Sequence, residues 1–367
     1  MNLRKALWIG VLALLLALSP ASDMMPATVS TVQAAPTKLN YPKKNLLVGE
    51  TFTLKLKTGK AASFKSSNKS VATVSKKGKV IAKSPGDVKI TVTTKAGKKY
   101  SCKVSVRNQV DFIIFAGQSN MTNVGKASEA PAVKDGAAYE VLLTKKKLSP
   151  LREPFGVQQK GKVTKSSGGT LASAFANAYY NETGIPIVAT STARGGTSIG
   201  EWSSNYYKNV VKSTQKAEKI LKKQGIKIRH RYVVFFQGEN DATYNISTAA
   251  YQQHLELMLT NLKSKTDIEK CLLIRIGEDL NDPTSYDRIA AAQTITCMEN
   301  PNFVLISTIA SGLDRKYYQA DGVHFTQAGL NKIGKQAGTM AGKYANTGVE
   351  PSMKDPRYNN TYTSNSN

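Results

Sequence analysis

Val110-Asp111-Phe112-Ile113-Ile114-Phe115-Ala116 is an apolar run broken by a single acid, and it ends in Gly117-Gln118-Ser119-Asn120-Met121. A strand without polar alternation is what a parallel sheet covered on both faces requires. The same texture returns at 185–191, 232–236, 271–276 and 303–307. Between these runs lie segments with helical period at 170–183, 208–223, 248–265 and 286–299, and a last one at 327–344 closes the series. In the third of them Tyr251, Leu255, Met258, Leu259 and Leu262 form one core-facing stripe. Strand and helix in alternation predict an α/β doubly wound domain from 108 to 345, whose ligands bind beyond the carboxyl ends of the strands. The connection 122–169 is long and is expected to contribute to a substrate cleft.

Upstream the pattern changes. Residues 36–107 carry short alternating segments at 50–57, 70–74, 80–82, 88–93 and 100–106, separated by glycine-containing turns. No helical period occurs there, so a small β-sandwich is expected. This stretch holds 18 Lys/Arg and 2 acidic residues and carries most of an excess of 51 Lys+Arg over 25 Asp+Glu. One reading is a merely solvated face. The other is attraction to an anionic cell-wall polymer, a multivalent effect that salt would screen. Nucleic acid is disfavoured because the segment has few aromatics on which bases could stack.

The first residues, Met1-Asn2-Leu3-Arg4-Lys5, precede an apolar run from Ala6 to Leu18 and a small-residue exit ending in Ala34-Ala35. This is the pattern of a secretory signal peptide at 1–35. The run is shorter than the roughly 20 apolar residues of a membrane anchor, so a secreted protein with no transmembrane segment after cleavage is expected. The tail 346–367 is rich in Asn, Ser, Thr and Pro and is expected to be disordered. With 41% hydrophobic and 21% charged residues, the chain as a whole has the composition of a globular protein. Cys102, Cys271 and Cys297 lack metal-ligand spacing and read as buried thiols.

The chemistry is sought where strands end. Ser119 follows the first strand on a glycine turn, where a hydroxyl can attack a carbonyl if a base takes its proton, or can simply cap a helix. Of three histidines, His230 sits between arginines at the start of a strand and reads as solvated, and His254 lies beside an apolar stripe and reads as structural. His324, in Asp321-Gly322-Val323-His324-Phe325, follows the last strand. Its separation from Asp321 lets that carboxylate accept from Nδ1 while Nε2 faces Ser119. Gln237-Gly238-Glu239-Asn240-Asp241 supplies amides that could stabilise an oxyanion. Arg194-Gly195-Gly196-Thr197-Ser198-Ile199, followed by Trp202, supplies exposed backbone N–H groups.

These four blocks resemble, in order, the SGNH hydrolase superfamily, and within it the sialate O-acetylesterase-like group that includes carbohydrate esterase family 6. The resemblance spans about 111–344 and implies a three-layer α/β/α, flavodoxin-like catalytic domain with a parallel sheet. It implies Ser119 as nucleophile, His324 as general base and acid, Asp321 as its partner, and no metal or organic cofactor. The Ser119 amide and that of Gly195 or Gly196 would form the oxyanion hole with a side chain of the third block. Gln237 is favoured there over Asn240, since the carbohydrate-esterase branch carries Gln-Gly-Glu. Gln118, Arg194 and Glu239 are assigned to substrate binding or support, Glu239 either pairing with Arg194 or acting as a structural acceptor. Met121 stands where a Gly-x-Ser-x-Gly elbow would have its last glycine, which argues against the α/β-hydrolase fold.

Ser66-Ser67-Asn68-Lys69-Ser70-Val71-Ala72-Thr73-Val74, then Gly78-Lys79-Val80, then Pro85-Gly86, is similar to the bacterial Ig-like family 2 module. The resemblances together imply a secreted serine esterase acting on an O-acetylated carbohydrate: acetylxylan, sialic acid or a cell-wall glycan. A lipase- or thioesterase-like hydrolase of the same fold, and a surface protein that binds glycans without turning them over, are the alternatives.

Overall fold

Alternating side chains in short strands can bury one face only, and two sheets closing on each other satisfy that pattern. In a computed structural model, which describes residues 38–156 and 168–363, the N-terminal strands do this. They are β1 (Lys43–Leu47), β2 (Thr51–Thr53), β3 (Ala61–Ser66), β4 (Ala72–Val74), β5 (Lys79–Ala82), β6 (Gly86–Thr94) and β7 (Lys99–Arg107). One sheet has the order β1-β7-β6-β3 and the other β2-β5-β4. Leu54, Val80, Ile90, Val92, Cys102, Val104 and Val106 fill the space between them. Two strands, β1 and β3, arise where no alternation is evident, and the strand expected over 50–57 contracts to Thr51–Thr53. The expected export signal lies outside the described residues.

The outer face of the larger sheet is basic. Lys43 stands directly opposite Lys103, and Lys103 directly opposite Lys89. Lys65 of β3 pairs with Thr91 and therefore shares that face. All four lysines are exposed.

Asn108 alone separates β7 from β8 (Gln109–Gly117). The following elements are β9 (Ala138–Leu142), β10 (Lys147–Pro150), α1 (Ala172–Thr183), β11 (Ile187–Ser191), α2 (Ile199–Glu201), α3 (Tyr207–Lys223) and β12 (Lys227–Phe236). After them come α4 (Glu239–Thr243), α5 (Thr248–Lys263), β13 (Lys270–Ile274), α6 (Asp287–Glu299), β14 (Phe303–Ser307), α7 (Gln327–Thr347), β15 (Met353–Asp355) and β16 (Asn360–Tyr362). The sheet order is β10-β9-β11-β8-β12-β13-β14, parallel except for the edge strand β10. Taken alone, the five apolar strands of the sequence reading run 2-1-3-4-5, the flavodoxin-like order, which places a crevice between the first and third of them, β8 and β12. β9 and β10 come from the long connection, so part of it widens the sheet. α1 packs on α7, while α3, α5 and α6 pack in succession. Ser247 and Thr326 begin α5 and α7 by accepting from the N–H of Ala250 and Gly329.

The expectation of a disordered tail is overturned for residues 346–363. α7 runs on to Thr347, and β15 and β16 form a hairpin. Asp355 enters the protein interior to meet Arg275, a guanidinium with no solvent exposure, and Met353 and Tyr362 are buried beside it. A polar composition hid three anchoring side chains. The β-sandwich is also joined more closely than a linker would allow. Leu47 belongs to the core of the α/β domain, and Asn45 gives its backbone N–H to Asp135 Oδ2 (2.7 Å) and its side-chain amide to the Asp135 carbonyl (3.0 Å).

Candidate active site

Gly117 is paired with Phe236 at the ends of β8 and β12 and has φ 136°. A Cβ there would stand 2.0 Å from the Phe236 carbonyl oxygen, so glycine alone lets the chain turn this close to its neighbour. The turn sends Gln118 inward and brings Ser119 to the half-buried rim, at the start of one 3-10 turn. Across the crevice, Gln118 Oε1 accepts from Gln237 Nε2 (3.1 Å), the Gly238 N–H (3.2 Å) and the Asn240 N–H (3.4 Å). The first and third blocks are thus fastened by one buried amide.

Gln237 has no exposed surface. Its Nε2 also donates to the Thr197 carbonyl (2.9 Å) and to Asp241 Oδ2. With its donors engaged in this scaffold, Gln237 has none to offer at the site, which reverses the preference for it over Asn240. Asn240 is half-buried, and its side chain makes no hydrogen bond among the described residues. Asp241 receives the Ile199 N–H at 3.0 Å from each oxygen and so ties the second block to the third. Burial raises its pKa, with the Gln237 hydrogen bond opposing.

Asn120 links the first block to the last. Its Nδ2 donates to Glu239 Oε1 (2.8 Å) and to the Val323 carbonyl (3.3 Å), and its Oδ1 accepts from the Phe325 N–H (3.1 Å). Val323 and Phe325 flank His324, so the residue after Ser119 grips the chain on both sides of the histidine. His324 Nδ1 lies 2.7 Å from Asp321 Oδ2. Asp321 Oδ1 accepts the N–H groups of Val323 and His324, each at 3.0 Å. Partial burial pushes the Asp321 carboxyl up, but hydrogen bonds from the His324 ring and from these two N–H groups outweigh it and hold the pKa below 3.8. An ionised Asp321 fixes the proton on Nδ1 and leaves Nε2 as an acceptor. Ser119 Oγ has no hydrogen-bond partner among the described residues.

Gly195 lies against Ser119: a Cβ built on it would be 3.8 Å from that of Ser119, whereas nothing comes within 4 Å of one on Gly196. The N–H groups of Ser119 and Gly195 are not engaged by other backbone groups among the described residues. Arg194 is exposed and stacks on the Tyr206 ring at 5.0 Å. Glu239 accepts from Asn120 and is not the partner of Arg194. Burial raises its pKa, opposed by the Asn120 hydrogen bond and by nearby His324. His254 bonds Ser203 Oγ at 2.9 Å, a structural role. His230, expected to be solvated, is instead half-buried, 2.8 Å from Glu269 and stacked on Tyr232. The three cysteines are free and buried. No cluster of metal-ligating side chains occurs among the described residues.

Residues 109–344 match the family described as "Carbohydrate esterase, sialic acid-specific acetylesterase". The chain belongs to this carbohydrate esterase family. Residues 27–104 match the bacterial Ig-like domain, group 2. Comparison with curated protein sequences finds no match. Among solved structures, the esterase is similar to a protein from Arabidopsis thaliana (TM-score 0.51, 23% identity, covering 64% of this chain and 98% of that one). It is also similar to a carbohydrate acetylesterase from Xanthomonas citri (0.44, 14%, 85% and 77%) and to an acetylxylan esterase from Geobacillus stearothermophilus (0.39, 13%, 62% and 91%). The carbohydrate esterase is a carboxylic ester hydrolase with an α/β domain preceded by an Ig-like one. Asn120 and Asp241 are the members of its site that residue chemistry alone did not single out. Both stand inside the quoted blocks, but a scaffold amide and a reactive one look alike until their partners are known.

Proposed function

We propose that the protein is an exported serine esterase that removes acetyl groups from a carbohydrate through Ser119, His324 and Asp321. The observation that carries this reading is the grip of Asn120 on both neighbours of an aspartate-oriented histidine, which puts Ser119 and His324 on adjoining loops at one sheet edge. Ser119 Oγ bonds to the ester carbonyl carbon as its proton passes to His324 Nε2. Negative charge on the carbonyl oxygen is met by the N–H groups of Ser119 and Gly195 and by the Asn240 amide. The C–O bond to the sugar breaks, and the alcohol leaves with the proton from His324. Water then gives a proton to His324 and attacks the acetyl-enzyme, releasing acetate and restoring the serine. Asp321 stabilises the imidazolium in both halves. These steps draw on side chains and backbone amides of this chain alone.

The lysine row of the Ig-like domain extends the proposal to an anionic cell-wall polymer. Like charges directly opposite one another on a sheet destabilise it, and a polyanion laid across the row would offset that repulsion. Export is supported by the basic, apolar and small-residue order of 1–35.

The test is acetate release from acetylated xylan, acetylated sialic acid and acetylated cell-wall glycan by the purified protein and by Ser119→Ala. Loss of about 10⁴-fold or more in kcat is expected, and an acetylated wild-type Ser119 should be trapped by rapid acid quench. Equal turnover by Ser119→Ala would overturn the assignment.

A further inference from the structure

A cavity of about 530 Å³ opens at the same carboxyl edge of the sheet. Its walls are the turn after β9, the residues that follow β11, and α3 with the turn before it. Lys146, Arg194, Lys212 and Lys216 line it, and among the described residues no carboxylate does. None of these four cations has an acidic partner among the described residues. Glu201, whose Oε1 accepts from the hydroxyl of the lining residue Tyr206 at 3.4 Å, is engaged in capping α2. The cavity is adjacent to the reaction site: Arg194 gives its N–H to the Gly117 carbonyl, and the next residue, Gly195, lies against Ser119.

The lining has the features of a sugar subsite with a charge requirement. Stacking on Tyr206 holds the guanidinium plane of Arg194 and leaves its N–H edge for a planar or tetrahedral oxyanion. Ser213, 5% exposed, lines the same cavity with an Oγ that has no partner among the described residues, as does the buried Oγ1 of Thr192.

We infer that this cleft binds an anionic unit of the glycan, carried next to the acetylated unit that reaches Ser119. The substrate class is therefore an acidic acetylated polysaccharide rather than a neutral one. The inference rests on the esterase reading for what happens at Ser119, but the binding itself does not require turnover. Two sources give the same oxyanion chemistry, a uronate carboxylate and a phosphodiester.

The experiment has two arms. In the first, calorimetry measures binding of an unacetylated oligogalacturonate, a glycerol phosphate oligomer and a neutral xylo-oligosaccharide to the Ser119→Ala protein and to the same protein carrying Lys212→Glu and Lys216→Glu. Binding of either anion, weakened about tenfold or more by the double substitution, supports the cleft and names its charge. Equal binding of the neutral sugar, or binding indifferent to the double substitution, overturns it. In the second arm the ratio of kcat/KM on acetylated pectic oligosaccharide to that on acetylated xylo-oligosaccharide is compared between the wild type and Lys212→Glu/Lys216→Glu. The ratio should fall about tenfold, and high salt should lower it in the wild type. Lys219→Glu/Lys222→Glu, an equal charge change farther along α3, should keep the wild-type ratio; a matching fall there would reduce the effect to net charge and overturn the site. Absent turnover in the wild type would defeat the esterase reading while the calorimetric arm still decides the cleft.

Discussion

Asn120 Nδ2 stands 2.8 Å from Glu239 Oε1, with both side chains buried beneath the rim that carries Ser119 and His324. The contact makes the floor of the site a single hydrogen-bonded piece, since the same asparagine holds Val323 and Phe325. Asn120→Ala leaves the His324 loop without its tether, and a displacement near 1 Å at a reacting group can cost about 100-fold in rate. The expected outcome is a kcat fall of about that size on a small acetyl ester, with KM little altered. It is checked by steady-state kinetics alongside near-ultraviolet circular dichroism, which should report a folded protein.

Glu239 carries a pH signature. Burial raises its pKa above 4.5 in the folded protein. As pH climbs through 4.5 the unfolded chain loses this proton first, so stability that is full below that value declines until the folded pKa is passed and is then constant. Glu239→Gln retains an acceptor for Asn120 and lacks the titration. Urea midpoints from about pH 4 to about pH 7 should therefore fall less steeply in the variant than in the wild type. The neighbouring Asp241, also raised by burial, keeps some of the slope. Identical slopes would show that Glu239 is ionised at no cost.

The two amides of the third block should separate cleanly. Asn240→Ala removes a half-buried side chain bonded to nothing else and should lower kcat by about 10²- to 10³-fold with little change in unfolding midpoint. Gln237→Ala breaks the bonds to Gln118, Thr197 and Asp241 and should cost about 1–3 kcal/mol of stability for each group left unpaired. Kinetics and denaturant unfolding on both variants check the contrast. A stable, inactive Gln237→Ala would restore the glutamine as the oxyanion donor.

The five apolar strands and their helices were legible in the sequence because a buried parallel sheet leaves no alternation to misread. β14 is found over Phe303–Ser307 as expected, and β8 and α3 begin one residue early. The four blocks were legible for a related reason, since each stands where such a strand ends. What escaped notice depends on partners distant in the chain. β10 is an edge strand with little apolar content of its own, β9 is a five-residue buried strand set inside the long connection, and Gln237 differs from Asn240 only in what surrounds it. The tail was misread because Asp355 looks like a surface acid until Arg275, 80 residues away, is seen without solvent.

Arg275 Nη1 donates to Asp355 Oδ2 at 2.6 Å and to Thr294 Oγ1 at 3.1 Å, inside the protein. Removing one member of a buried ion pair leaves the other charge uncompensated, at about 3–5 kcal/mol, whereas replacing both by apolar groups is close to neutral. Asp355→Ala, or a stop codon after Thr347, should lower the unfolding free energy by that amount, and Arg275→Met with Asp355→Leu should recover most of it. Denaturant titrations measure both. A truncated protein as stable as the full chain would show the hairpin to be dispensable.

The lysine row is expected to trade stability for binding. Lys43, Lys103 and Lys89 stand in direct cross-strand register, an arrangement in which like charges destabilise the sheet. Deleting the Ig-like domain is a poor test, because Leu47 would leave the core of the α/β domain. Replacing Lys89 and Lys103 by serine keeps the strands and removes the repulsion. The variant should unfold at slightly higher denaturant and elute from an immobilised acidic polysaccharide at clearly lower salt, with turnover of a small ester as in the wild type. If instead elution is unmoved, the row is a solvated face, and the retention of this protein on anionic surfaces must come from elsewhere on the chain.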